Sequence, residues 1–227
     1  MKPIIGTVAV CAAALAVISA AGAAGAATVL YTDDFSAGTP VGGLAGSNGF
    51  AGGMYYNAST GGAPAGYQLA LGGLGAHSLV TVSFSLALID SWDGTSPWGW
   101  PYGDYFNVTA DGAEVFEISV DNFGSGSVEQ VPATATGRAS GQNLFGSGYG
   151  DSTFTVAFSF LHSGATLDLA MFADGIGWQG GTDESWAIDN LTVSADVAPV
   201  PLPAALPLLA GALGGLGALA ARRRRRC

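Results

Sequence analysis

The sequence predicts an all-β protein whose body is an antiparallel, jelly-roll-like β-sandwich. Three observations carry that expectation. Apolar residues recur at every second position in one segment after another of the middle of the chain, the period of a strand with one buried face. Between the two ends, no window sustains the 3.6-residue period of a helix. Glycine accounts for 36 of 227 residues, roughly twice its usual ~7%, which favours many turns. One-sided faces need cover, and two sheets packed face to face supply it.

The elements follow in order. Residues 1–26 carry one cation, Lys2, continue through the apolar run Val8 to Ala21 and end in Ala23, Ala24, Gly25 and Ala26. That is the charge, apolar core and small-residue exit of a secretory signal. It would engage the Sec translocon and be cut by signal peptidase near Ala26. Lipoprotein processing at Cys11 is a rival, but Val8-Ala9-Val10 lacks the leucine usual three residues before such a cysteine. The sandwich domain then spans residues 27–197.

Within it, Val80, Val82, Phe84, Leu86 and Leu88 fall on one face of a long strand over 78–89. Phe106 and Val108 share a face on the next strand, Asp111-Gly112 reads as a tight hairpin turn, and Phe116, Ile118 and Val120 point inward on the return. Phe154, Val156, Phe158 and Phe160 form another inward face, and Leu167, Leu169 and Met171 one more. The last strand breaks its own alternation: Trp186 and Ile188 have one parity, Leu191 and Val193 the other. Either a β-bulge at Asp189-Asn190 lets all four face inward and re-aims the Asp189 carboxylate, or no bulge exists and Trp186 faces solvent.

Residues 198–227 close the chain. Ala204 to Ala221 carries no charge, and at ~1.5 Å per residue it is just long enough, as a helix, to cross a ~30 Å hydrocarbon layer. The run Arg222, Arg223, Arg224, Arg225 and Arg226 follows at once. Arginines at the end of a span stay on the cytoplasmic side, so a transmembrane helix here leaves the body outside and the tail inside. Val200-Pro201-Leu202-Pro203-Ala204, a short span and a terminal Arg run together resemble the VPLPA-CTERM sorting signal, a relative of the PEP-CTERM signals of Gram-negative bacteria. The resemblance covers residues 200–227 and says nothing of the body. It implies cutting near the motif by an exosortase-type membrane peptidase. The intermediate would sit in the inner membrane with its body in the periplasm, before release to the cell surface or to an exopolysaccharide (biofilm) matrix.

Charge narrows the partners. Of seven Lys and Arg, five are in the terminal run and one is Lys2, so the domain holds Arg138 alone against all 17 acidic residues. Such a body repels polyanions, which excludes a nucleic-acid partner, and attracts cations. The two cysteines, Cys11 and Cys227, both lie in the terminal segments, so the domain has neither disulfides nor thiolate metal sites.

The densest candidate site runs from Asp90 to Asp104 and contains Trp92, Trp98, Trp100, Tyr102, Asp93 and the adjoining Tyr105. A second loop, Asp174 to Trp186, repeats the mixture with Trp178, Asp183 and Glu184. Flat aromatics beside hydrogen-bonding carboxylates suit sugar rings, although tryptophans also plug the ends of sandwiches. Calcium takes six to eight oxygens from carboxylates and carbonyls. Asp90, Asp93 and Asp104 are one possible ligand group, and Asp33 and Asp34 with Asp189 another. Asp33-Asp34-Phe35 on the first strand and Ile188-Asp189-Asn190 on the last resemble carbohydrate-binding-module sandwiches, which implies a structural calcium between the terminal strands. Nothing points to catalysis: His77 and His162 are far apart in sequence, and no nucleophile elbow, zinc-protease or phosphate-loop motif occurs. The expected function is a non-catalytic, exported, polysaccharide-associated sandwich. A purely structural or adhesive matrix component and a glycan hydrolase are the alternatives.

Overall fold

The computed structural model describes residues 27–36, 55–57, 61, 65–95, 102–142, 149–181 and 183–197. The signal segment, the VPLPA motif, the apolar tail, the arginine run, Trp98 and Trp100 lie outside these residues. Among the described residues no helix is long and apolar enough to cross a membrane.

Ten strands form two antiparallel sheets: β1 (Ala27–Asp33), β2 (Tyr55–Asn57), β3 (Tyr67–Gly72), β4 (Leu79–Asp90), β5 (Tyr105–Ala110), β6 (Ala113–Ile118), β7 (Ala135–Gln142), β8 (Asp151–Leu161), β9 (Thr166–Asp174) and β10 (Glu184–Asp196). One sheet runs β1-β10-β4-β8-β7, with β2 also paired to β10; the other runs β3-β9-β5-β6. β1 and β2 share one edge of β10, β1 taking residues 191–196 and β2 residues 186–188.

The expected alternation is what buries the core. Val80, Val82, Phe84, Leu86 and Leu88 of β4 all face the interior. Phe84 meets Phe106 at 6.1 Å and Phe116 at 6.3 Å, both in the opposite sheet, and Phe116 stacks on Phe158 at 5.1 Å. These cross-sheet ring contacts make the two sheets one sandwich. The β5–β6 turn has Asp111 at φ 50° and Gly112 at φ 79°, the two left-handed residues that a tight two-residue hairpin requires.

The phase slip in β10 is a bulge. Asp189 pairs with Ser85 and Thr192 with Ser83, so β10 spends one extra residue there. Asn190 adopts φ 54° and is exposed, while Trp186, Ile188, Leu191 and Val193 are all buried. The bulge therefore serves the apolar faces on both sides of it, and the alternative with Trp186 in solvent is excluded. β4 departs from simple alternation near its end: Ser85, Ala87 and Ile89, on the outward parity, are buried too.

Carboxylates tie strands where no lysine or arginine is present. Asp196, at the end of β10, accepts bonds from Ser78 N (2.9 Å), Ser78 Oγ (2.7 Å) and Leu79 N (2.6 Å), fastening it to the start of β4. These donors hold its pKa at about 2, below the usual 3.8. Arg138 makes a two-pronged pair with Glu129 at 2.6 and 2.7 Å and lies 5.7 Å from the centre of the Phe154 ring.

Phe84→Ala should cost about 3–5 kcal/mol in a denaturant titration, the usual cost of removing a ring from a full core. Asp196 has a depressed folded pKa, so its stabilisation is present above the ordinary carboxylate value and is lost as pH falls through about 2. Asp196→Asn should therefore lower Tm at neutral pH, and the gap from the parent should close in melts taken at progressively lower pH.

Candidate functional site

The chemistry gathers at the end of the sandwich where β4 stops and β5 and β10 start. Asp90 leaves β4 with φ 71°, a left-handed turn that an aspartate tolerates better than most residues. This turn ends the alternation and drops Trp92 into the core. Trp92 is fully buried, donates from Nε1 to Ser185 O at 2.8 Å, and packs edge-on against Trp178 at 5.1 Å. Trp186 in turn meets Phe106 at 5.0 Å. Trp92 and Trp178 thus plug the end of the sandwich. Their ring faces are already covered by protein, because burying an indole is worth more than exposing it.

Just beyond the plug, the loop between β4 and β5 is pinched at its root. Asp104 N donates to Asp93 O at 2.8 Å, and Asp93 N donates back to Asp104 Oδ2 at 2.5 Å. Thr95 pairs with Val128 in an isolated bridge, N to O at 2.8 Å and back at 2.7 Å. The third carboxylate, Glu184, opens β10 and uses Oε2 to accept from Gln179 N at 2.5 Å. Asp93, Asp104 and Glu184 each present a carboxylate oxygen within 4.8 Å of the other two. Asp104 and Glu184 are fully buried, and Asp93 is half-buried.

Their second oxygens differ from the first. Asp104 Oδ1 and Glu184 Oε1 are buried and accept from no backbone amide and no neutral side chain. Burial, the neighbouring Glu184 and Asp93 charges and a side-chain hydrogen bond with Glu184 push the Asp104 carboxyl up to about 8. Burial raises Glu184 against the pull of the Gln179 and Gly180 amides, and it raises Asp93 with help from Asp121 and Asp183.

The Asp174–Trp186 connection closes over this trio by backbone contact. A Cβ on Gly175, at φ 135°, would stand 1.9 Å from Gly103 O, and one on Gly177 would stand 3.3 Å from Asp104 Oδ1. Only glycine lets the two loops lie this close.

Beside the trio is a cavity of about 220 Å³ lined by Ser91, Asp93, Phe123, Tyr149, Gln179 and Asp183. Phe123 is 50% and Tyr149 41% exposed, with their rings 5.2 Å apart. Ser91 Oγ donates to Asp183 Oδ1 at 2.9 Å. Asp121 steadies the Phe123 loop by accepting from the amides of Gly124, Ser125, Gly126 and Ser127 at 2.7–3.0 Å.

The remaining candidates scatter. Tyr102 is exposed where the β4–β5 loop returns, and Tyr105 is half-buried on β5. Asp90 lies opposite Glu184 in the β4–β10 ladder but does not join the trio. Asp33, Asp34, Asn190 and Thr192 line a separate pocket of about 360 Å³ where β1 meets β10. Asp33 accepts from Phe35 N and Tyr31 Oη, Asp34 from Ser36 N, and the buried Asp189 from Asn190 N. Among the described residues, Asp33, Asp34 and Asp189 do not converge as a three-carboxylate group.

At the opposite end, His77 and His162 meet despite their distance in sequence. His77 Nε2 and His162 Nδ1 are 2.7 Å apart, flanked by Gly75 O at 2.6 Å from His77 Nδ1 and Asp111 Oδ2 at 3.1 Å from His162 Nε2. All three bonds together need three ring protons, one more than two neutral imidazoles carry.

The sequence reading assigned Glu184 to sugar hydroxyls and missed Phe123 and Tyr149 altogether. The signal for the two aromatics was in the chain: Phe123 precedes Gly-Ser-Gly-Ser, and Tyr149 stands between two glycines. Large rings in such loops have no apolar strand partners. Gly175→Ala should destabilise by well over 1 kcal/mol in chemical denaturation, since it adds a backbone clash to a positive φ.

No protein-family model, no curated protein and no solved structure matches this chain.

Proposed function

We propose that this protein is an exported, non-catalytic polysaccharide-binding β-sandwich of the cell surface or extracellular matrix, taking saccharide in the cleft that Phe123 and Tyr149 line together. The cleft itself carries the reading. Two exposed rings offer apolar faces to a sugar, while Asp93, Asp183, Gln179 and Ser91 offer hydrogen-bonding groups to its hydroxyl edges. The buried Asp151 and Asp189 bond to backbone amides, whereas Asp93 and Asp183 border open space.

Export rests on the N-terminal signal and on the VPLPA-type tail, which would pass through an exosortase-type peptidase. The strands change sheet between β2 and β3, β3 and β4, β4 and β5, β6 and β7, β8 and β9, and β9 and β10, a connectivity that supports a jelly roll within the sandwich class. The non-catalytic reading is favoured over a glycan hydrolase because Asp104, with its raised pKa the best candidate acid, is fully buried beneath the loops.

Phe123→Ala and Tyr149→Ala separate this reading from a purely structural or adhesive role. Each variant should keep its Tm within a few degrees of the parent and lose about tenfold in retention on the producing cell's exopolysaccharide in affinity electrophoresis, the scale of one lost ring contact. Unchanged retention in both would overturn saccharide binding at this cleft.

A further inference from the structure

The trio at the root of the β4–β5 loop has a property that the cleft does not need. Two fully buried carboxylates and a half-buried one converge from separate points of the chain, with no cationic side chain among them. One oxygen of each buried group is taken by a backbone amide, which fixes how the carboxylate is turned. The other two, Asp104 Oδ1 and Glu184 Oε1, meet no donor from outside the trio, where the Asp104 and Glu184 side chains bond to each other. Two buried carboxyls that have only each other repel when both are ionised, and a cation shared between them relieves that repulsion as a shared proton does. The space is kept by sequence as well: position 177 is glycine, and a Cβ there would press to 3.3 Å from Asp104 Oδ1.

We infer that Asp93, Asp104 and Glu184 form a divalent cation site of the calcium class. An all-oxygen donor set selects a hard cation. Calcium–oxygen distances are ~2.3–2.6 Å, so ligands of one ion lie no more than about 5 Å apart, and the 4.8 Å spread of the trio falls within that limit. Asp93 also lines the cleft, so the site adjoins water that can complete the coordination shell. The donors differ from the groups suggested by the sequence: Asp33, Asp34 and Asp189 contribute nothing, and Glu184 takes the place of Asp90. The bound ion would lock the root of the loop between Asp93 and Asp104 to the start of β10.

The test is a thermal melt of the purified protein after EGTA treatment, with and without calcium chloride, alongside sodium chloride at matched ionic strength. Calcium should raise Tm in a saturable way, because a ligand bound only by the folded state stabilises it, and isothermal titration should count one ion per chain. Asp104→Asn and Glu184→Gln should abolish the response. Should either fail to fold, Asp93→Asn, at the half-exposed position, should weaken calcium at least tenfold in the same titration. No calcium-specific shift, an equal shift with sodium, or a full response in these variants would overturn the site. The glycan measurement on Phe123 and Tyr149 is made separately, so failure of the cation site leaves the saccharide reading standing.

Discussion

Seventeen carboxylates share a sandwich with one guanidinium, and that imbalance governs how the loops are built. With Arg138 committed to Glu129, other acidic side chains must find neutral donors. They use the backbone. Asp121 gathers four consecutive amides, Asp196 fastens β10 to β4, Asp151 accepts from Asp90 N at 2.8 Å, and Asp111 accepts from Asp168 N at 2.9 Å. Charge-assisted bonds of this kind are stronger than neutral ones. They suit strand ends and turns, where amides have no ladder partner.

The trio of Asp93, Asp104 and Glu184 is where this solution is incomplete. Its two buried members, Asp104 and Glu184, obey the same rule with one oxygen each and then run out of amides. The tryptophan plug beneath and the glycine-mediated contact of two loops exclude water from the inner side. The half-buried Asp93 and the aromatic cleft lie on the outer side. Asp93 therefore does both: its backbone closes the loop root, and the residue borders the cavity.

The sandwich was legible in the sequence because period-two faces have few alternative folds. Even the bulge at Asp189-Asn190 could be read, since four apolar residues of mixed parity all had to be buried. The short or weakly patterned strands were not legible. β7 reads Ala-Thr-Gly-Arg-Ala-Ser-Gly-Gln and has almost no apolar face to betray it, while β2 pairs over only three residues. The site was half legible. Asp93 and Asp104 belong to one acidic, aromatic stretch, but Glu184 joins them only through the β4–β10 ladder, a contact between residues about ninety positions apart. The places of Trp92 and Trp178 were not legible because the same ring that suits a sugar also suits a core, and composition cannot distinguish the two uses. Only the ladder and the positive φ at Asp90 decide that Trp92 turns inward.

The most direct measurement is anomalous diffraction from crystals of the protein grown with terbium, an oxygen-seeking cation of calcium-like size. The account predicts one dominant peak enclosed by the carboxylates of Asp93, Asp104 and Glu184, with the Asp93 amide still bonded to Asp104. A trio bonded carboxyl to carboxyl with no peak between them, or a peak only at Asp33 and Asp34, would contradict it.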